Sequence, residues 1–226
     1  MSALAKTTLA VLMLCLGVVA LPSTSSAAAR SADLANSSAK QASGSAGLFA
    51  DWVLASGDSH GLPFVIVDKK NAEVLVFYPD GRLRGAAPAL LGLAHGDDSV
   101  PGIGQRKLSS ITPEERTTPA GRFVASLGND LGKKNVVWVD YDNAISLHRV
   151  ITSNRKERRL QRLATVSILD NRISYGCINV PAKFFDTVVQ PTFTGTNGIV
   201  YILPEVRSSQ SVFPAYQTNG QPQASN

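Results

Sequence analysis

Phe64-Val65-Ile66-Val67-Asp68-Lys69-Lys70-Asn71-Ala72-Glu73-Val74-Leu75-Val76-Phe77-Tyr78 sets two runs of β-branched and aromatic residues on either side of a polar corner. That pattern reads as a β-hairpin turning at Asp68 to Asn71. Pro79-Asp80-Gly81 follows as a second turn, and a third strand runs through Ala89-Leu90-Leu91. Further along, Val136-Val137-Trp138-Val139 and Ala144-Ile145-Ser146-Leu147 flank the polar Asp140-Tyr141-Asp142-Asn143, again hairpin-like. Ile199-Val200-Tyr201-Ile202-Leu203 reads as a closing core strand. Many short strands with turn signals imply a mainly β single domain, a sandwich or barrel with one or two short helices, and not a βαβ sheet.

The helices expected are a short one over Leu48 to Ala55 and one centred on Arg155 to Leu163, where Leu160 and Leu163 stand three apart. The surrounding segment, Arg149 to Arg172, carries seven basic residues against Glu157 and Asp170. It reads as a solvated helix lying across the sheet in preference to a ligand-binding lid. His95 to Pro119 is a long irregular stretch of the kind that forms functional flaps. It ends in Thr118-Pro119-Ala120-Gly121, a tight turn with proline placed to fix φ.

Outside these elements the chain is differently built. Residues 1–29 have the form of a secretory signal peptide: Lys6, an apolar run from Leu9 to Leu21, then small residues ending in Ala27-Ala28-Ala29. The run is too short for a permanent membrane anchor, and bulky Leu14 before Cys15 argues against a lipoprotein site. An Ala/Ser-rich linker is expected over 30–47, a single folded domain over 48–207 and a disordered tail over 208–226. The signal implies an exported protein, periplasmic or elsewhere in the cell envelope. Loss of Lys6 leaves 21 basic side chains, one fewer than the 22 of the whole chain, against 17 acidic ones. That mild excess suits an anionic envelope polymer. Nucleic acid is a poor fit, since export removes it and no basic-aromatic stacking pattern is present. No coiled-coil pattern or long apolar face appears, so a monomer is the default.

Export also changes the cysteine count. Of the two cysteines, Cys15 leaves with the signal, so Cys177 has no partner for an internal disulfide. An unpaired cysteine in an oxidising compartment is either a buried small hydrophobe or a thiol kept for its reactivity. Its surroundings are Arg172-Ile173-Ser174-Tyr175-Gly176-Cys177-Ile178-Asn179-Val180-Pro181. Gly176 permits a backbone turn that exposes the sulfur and aligns N–H groups toward a developing oxyanion. A thiol becomes a strong nucleophile as thiolate, which requires an imidazole or another positive field. Of the three histidines, His148 ends a predicted strand, whereas His60 and His95 lie in Gly-rich loops. His95 with Asp97 and Asp98 is too sparse a cluster for a metal site, so neither metal nor cofactor is expected.

Taken in order, the hairpin, Thr118-Pro119-Ala120-Gly121 before Arg122-Phe123, His148, Ser174-x-Gly176-Cys177-Ile178-Asn179 and the last apolar strand resemble the L,D-transpeptidases of bacterial cell walls. The resemblance spans Pro63 to Pro204. It implies an L,D-transpeptidase fold and an exported cysteine acyltransferase acting on peptidoglycan stem peptides. Cys177 would attack the carbonyl of the third stem residue, expel the terminal D-alanine and hold the acyl group as a thioester. A second stem amine would then form a 3-3 cross-link, with His148 as base. Backbone N–H groups of Tyr175, Gly176 and Cys177 would form the oxyanion hole, and Ser174 and Asn179 would support substrate or loop.

Two departures mark the chain. The family usually has His before the Gly-Cys pair, where this chain has Tyr175, and the gap from His148 to Cys177 is lengthened by the basic segment. That segment places Arg155, Arg158 or Arg159 to bind stem carboxylates. Water as acceptor would make the enzyme an L,D-carboxypeptidase. A non-catalytic peptidoglycan-binding module that keeps the fold is the alternative of a different class, and a thiol amidase acting on envelope peptides is a third.

Overall fold

The computed structural model describes residues 44–132 and 134–216. The signal segment and most of the expected linker lie outside the described residues. Ten strands are present: β1 (Phe64–Asp68), β2 (Glu73–Phe77), β3 (Leu83–Pro88), β4 (Leu91–Gly92), β5 (Gly121–Asn129), β6 (Asn135–Asp140), β7 (Ile145–Arg149), β8 (Arg172–Ser174), β9 (Ile178–Val180) and β10 (Gly198–Ile202). Eight of them form one sheet in the order β3-β2-β1-β10-β5-β6-β7-β9, and β4 pairs with β8 beside it. Neighbours in the large sheet are antiparallel except at β1–β10 and β7–β9, and β4–β8 is parallel. The architecture is mainly β with a few short helices.

The sheet is nearly closed on itself. Beyond β3, the Leu90 N–H donates to the Asn179 carbonyl at 2.8 Å, and the Asn179 N–H donates to the Leu90 carbonyl at 2.9 Å. This reciprocal pair joins one edge of the sheet to β9 at the other, so the barrel seam runs beside Cys177.

Side-chain alternation explains why the strand runs in the sequence are continuous rather than alternating. Along β1, Val65 and Val67 face a core with Val74, Val76, Val137, Leu147, Ile178 and Val200, while Phe64 and Ile66 face a second core with Phe49, Leu75, Phe77 and Tyr201. Helix α1 (Ser45–Ser56) covers the second core through Phe49, Ala50 and Val53. The first core is closed by a helical run, Ala182–Phe184, a π-turn at Phe185–Val189, and Gln190–Phe193.

The folded body extends further than the sequence implies. Phe213 and Tyr216 fall in the expected tail, yet they are buried with ring centroids 4.8 and 4.9 Å from Phe49. The Trp52 indole donates to the Ala215 carbonyl at 3.1 Å. Two aromatics in an otherwise polar stretch are enough to dock it.

Lys69, read as part of a polar corner, is 1% exposed. Its ammonium donates to Gly96 O at 2.5 Å, Asp97 Oδ1 at 2.8 Å and Thr118 O at 2.9 Å. The corner itself is closed by Asp68, whose carboxylate accepts from the N–H groups of Lys70 and Asn71. The stretch from His95 to Pro119 is held in three short 3-10 turns, Ile103–Gln105, Leu108–Ser110 and Pro113–Glu115.

Candidate active site

Pairing of β7 with β9 brings the two predicted reactive residues together. The parallel register sets Leu147 beside Ile178 and His148 beside Asn179. Ile145, Leu147, Ile178 and Val180 point into the core. Alternation therefore turns Ser146 and His148 to the other face, the face shared by Cys177 and Asn179. The strand runs two residues past the predicted Leu147, so His148 stands on regular β structure and not on a loop.

The imidazole is fixed in one tautomer. His148 Nδ1 lies 2.7 Å from the Arg149 carbonyl oxygen. A carbonyl only accepts, so Nδ1 carries the hydrogen and Nε2 is left with a lone pair. The Cys177 thiol lies 3.5 Å from the Ala144 carbonyl and 3.6 Å from Ser146 Oγ, and these are its hydrogen bonds of good geometry. His148 stands close enough for each group to change the proton affinity of the other. Burial pushes the Cys177 thiol up, but the neighbouring His148 imidazole, with Ser146, outweighs burial and holds it below the ordinary thiol value. Burial likewise pushes His148 down, while interaction with Cys177 and the Arg149 carbonyl carry it above the ordinary imidazole value. The two shifts describe one thiol–imidazole pair biased toward thiolate and imidazolium.

The loop before the thiol is tied from both sides. Gly176 has φ 129°, and a Cβ there would sit 2.7 Å from Thr117 O and 2.7 Å from the Ile145 Cδ1. Only glycine fits this close approach. Thr118 Oγ1 accepts from the Gly92 N–H at 2.8 Å and donates to the Gly176 carbonyl at 2.8 Å. Ser174 Oγ accepts from the Gly176 N–H at 3.1 Å and donates to the Cys177 carbonyl at 2.6 Å. The Gly176 N–H is thus already bonded within the loop, leaving those of Tyr175 and Cys177 for an oxyanion. Asn179 Nδ2 donates to the Cys177 carbonyl at 3.2 Å.

The basic crossover is divided. Arg159 donates to Glu157 Oε2 at 2.5 Å and to Asn179 Oδ1 at 2.8 Å, and its charge opposes protonation of His148. Arg155 and Arg158 are exposed. Of the residues that sequence reasoning missed, Ser146 was legible as the position two before His148 on one strand. Arg116, whose guanidinium lies 3.9 Å from the Tyr175 ring centroid, had no local signal.

A cavity of about 780 Å³ opens beside His148, lined among others by Asp130, Asn135, Val150 and Thr152. His60 and His95 take no part in the site. His95 is directed to Glu205, 2.9 Å away, and Asp97 is held by Lys69. Among the described residues no group of three His, Cys, Asp or Glu side chains is placed to hold a metal ion. Nor is any helix there long and apolar enough to cross a membrane.

No protein-family model and no curated protein matches the chain. Among solved structures, the chain is similar to the helical cell shape determining protein Pgp2 from Campylobacter jejuni, at 17% identity over 70% of this chain and 56% of that one, TM-score 0.44. It is also similar to the catalytic domain of the L,D-transpeptidase from E. faecium, at 16% identity over 62% of this chain and 96% of that one, TM-score 0.37. A third is the L,D-transpeptidase from Xylanimonas cellulosilytica, at 14% identity over 62% of this chain and 60% of that one, TM-score 0.37. The chain thus spans less than two thirds of the length of the first and third of these proteins.

Proposed function

We propose that the chain is an exported cysteine acyltransferase of the L,D-transpeptidase type, acting on peptidoglycan stem peptides in the cell envelope. The observation that carries this reading is the thiol–imidazole pair itself. Cys177 immediately precedes β9, His148 stands on the neighbouring β7, and the Arg149 carbonyl leaves the imidazole Nε2 free to take the thiol proton. In the first half-reaction the Cys177 sulfur bonds to the acyl carbon of the donor peptide, the proton passes to His148, and the resulting imidazolium returns it to the departing amine. The Tyr175 and Cys177 N–H groups are the proposed donors to the oxyanion. In the second half-reaction an amine loses a proton to His148, attacks the thioester and frees the thiol. The cavity beside His148 is the proposed entry for such an acceptor. A non-catalytic wall-binding module has no need of a histidine held in one tautomer beside a thiol of lowered pKa, and this favours the enzyme.

The test is intact-mass measurement of the protein with disaccharide-tetrapeptide muropeptides and with a carbapenem. An adduct on wild type, absent from Cys177→Ala and slowed at least about a hundredfold in His148→Ala, is expected. Dimer products mark a transpeptidase and tripeptide products a carboxypeptidase. A folded, reduced wild-type protein that forms neither adduct nor product with either compound overturns the reading.

A further inference from the structure

Arg116 is one of three half-buried arginines, with Arg84 and Arg162, that make no ion pair among the described residues, although its charge is felt by the Glu114 carboxylate. Its buried or half-buried counterparts Arg106, Arg149, Arg159 and Arg172 each pair with a carboxylate. Arg84 and Arg162 instead give their donors to Thr192 Oγ1 and to the Glu157 and Asp170 carbonyls. Arg116 has no carboxylate within ion-pair distance among the described residues. Its Nε and Nη2 both turn to the Ile111 carbonyl, at 3.4 and 3.1 Å, so Nη1 has no protein partner there. A guanidinium carries five donors and a permanent charge, and leaving it partly desolvated without a counter-ion costs stability. Such a cost is tolerated where an arriving anion offsets it.

The position is built, not incidental. The Arg116 carbonyl accepts from the Ala94 N–H at 3.0 Å, which pins the backbone. The guanidinium carbon then lies over the Tyr175 ring, 3.9 Å from its centroid, well inside the range of a cation–π contact. Tyr175 stands two residues before Cys177, and the neighbouring Thr117 carbonyl presses against Gly176. The pair therefore stands at the approach to the thiol, with one edge of the fork unspent.

We propose that Arg116, held on the face of Tyr175, binds a carboxylate of the peptide substrate, the free terminal carboxylate of the residue that leaves when Cys177 is acylated. This rests on the acyltransfer reading and adds to it the substrate feature that is recognised. It also gives Tyr175 a task that an imidazole in that place would do less well, since the larger aromatic face orients the guanidinium. The enzyme would then act on peptide ends and reject internal peptide bonds.

The test compares acylation of the full chain by a stem tetrapeptide and by the same peptide with its terminal carboxylate amidated, followed by intact mass over a concentration series. Wild type is expected to prefer the free acid by about tenfold or more, as for one charge-assisted hydrogen bond, with the difference in KM. Arg116→Gln should lose that preference, its acylation by the free acid falling to the level of the amide. Tyr175→Phe should retain the preference and Tyr175→Leu should weaken it. Equal loss on both peptides in Arg116→Gln, with an unchanged melting temperature, shows a merely positioning role and overturns the proposal. So does a wild type that acylates on acid and amide alike, which leaves the acyltransfer reading intact. Failure of both peptides to acylate wild type overturns both.

Discussion

At the scale of single residues, reactivity depends on which term dominates the thiol. Burial alone would make Cys177 an inert core sulfur, and the imidazole reverses that outcome. Removing His148 takes away the lowering influence and leaves burial, opposed only by Ser146. In His148→Ala the pH midpoint for alkylation of Cys177 by iodoacetamide should therefore move upward, and the rate at pH 7 should fall about tenfold for each unit of that move. In wild type the thiolate should persist to lower pH than in a free thiol, because the folded thiol value is depressed. On the alkaline side, loss of the His148 proton removes the imidazolium that must protonate the departing amine, so acyl transfer should follow a bell while alkylation keeps rising. A superimposable alkylation profile for wild type and His148→Ala would sink the pairing.

At the scale of elements, Thr118 does the work of a rivet. Its one hydroxyl joins the β4 backbone at Gly92 to the thiol loop at Gly176, and it is fully buried. Thr118→Val keeps the shape but strands a buried N–H and a buried carbonyl, at a cost of about 1–3 kcal/mol. Denaturant unfolding should register that loss, and acylation of Cys177 should slow while Thr118→Ser retains both. The tight turn expected at Thr118-Pro119-Ala120-Gly121 is not formed: Arg116 to Ala120 run irregularly, the Ala120 N–H donates to the Asp97 carbonyl, and Gly121 already opens β5. Strands β1, β2, β6, β7 and β10 were legible because their apolar runs are dense. Strand β5 was not, since Arg122, Ser126 and Gly128 break its pattern and much of it is exposed. The helical run after Pro181 was masked by its own β-branched residues, Thr187, Val188 and Val189, which local propensity assigns elsewhere. The docking of Phe213 is equally a tertiary fact. Phe213→Ala should cost about 3–5 kcal/mol by leaving a hole beside Phe49 and Tyr201, with the pH profile of Cys177 alkylation unchanged below the melting temperature.

At the scale of the whole molecule, a buried charge cluster holds together segments far apart in sequence. Lys69 after β1, Asp97 in the long loop, Arg172 at the start of β8 and Glu205 after β10 meet in one place. Asp97 also accepts from the N–H groups of Glu205, Val206 and Arg207. Burial works against the Asp97 carboxylate, yet these N–H groups and the Lys69 ammonium hold it at about 2. Glu205 is also lowered, by the Gly96 N–H and the charges of Arg172 and Lys69 acting against burial. Both folded values lie below the unfolded ones. The stability they contribute is therefore complete above the unfolded carboxylate range, near pH 4, and is lost as pH falls toward the folded values. Lys69→Met should cost about 3–5 kcal/mol, because Asp97 is left buried without its cation. In that variant Asp97 titrates at higher pH, so the acid loss of stability should begin earlier than in wild type. Lys69→Met with Asp97→Asn should recover part of the loss and remove that earlier onset. Melting curves from pH 7 to pH 3 test all three chains. A shift of under about 2 °C in Lys69→Met at pH 7 would mean that the cluster is solvated in solution and that hydrophobic burial alone joins these segments.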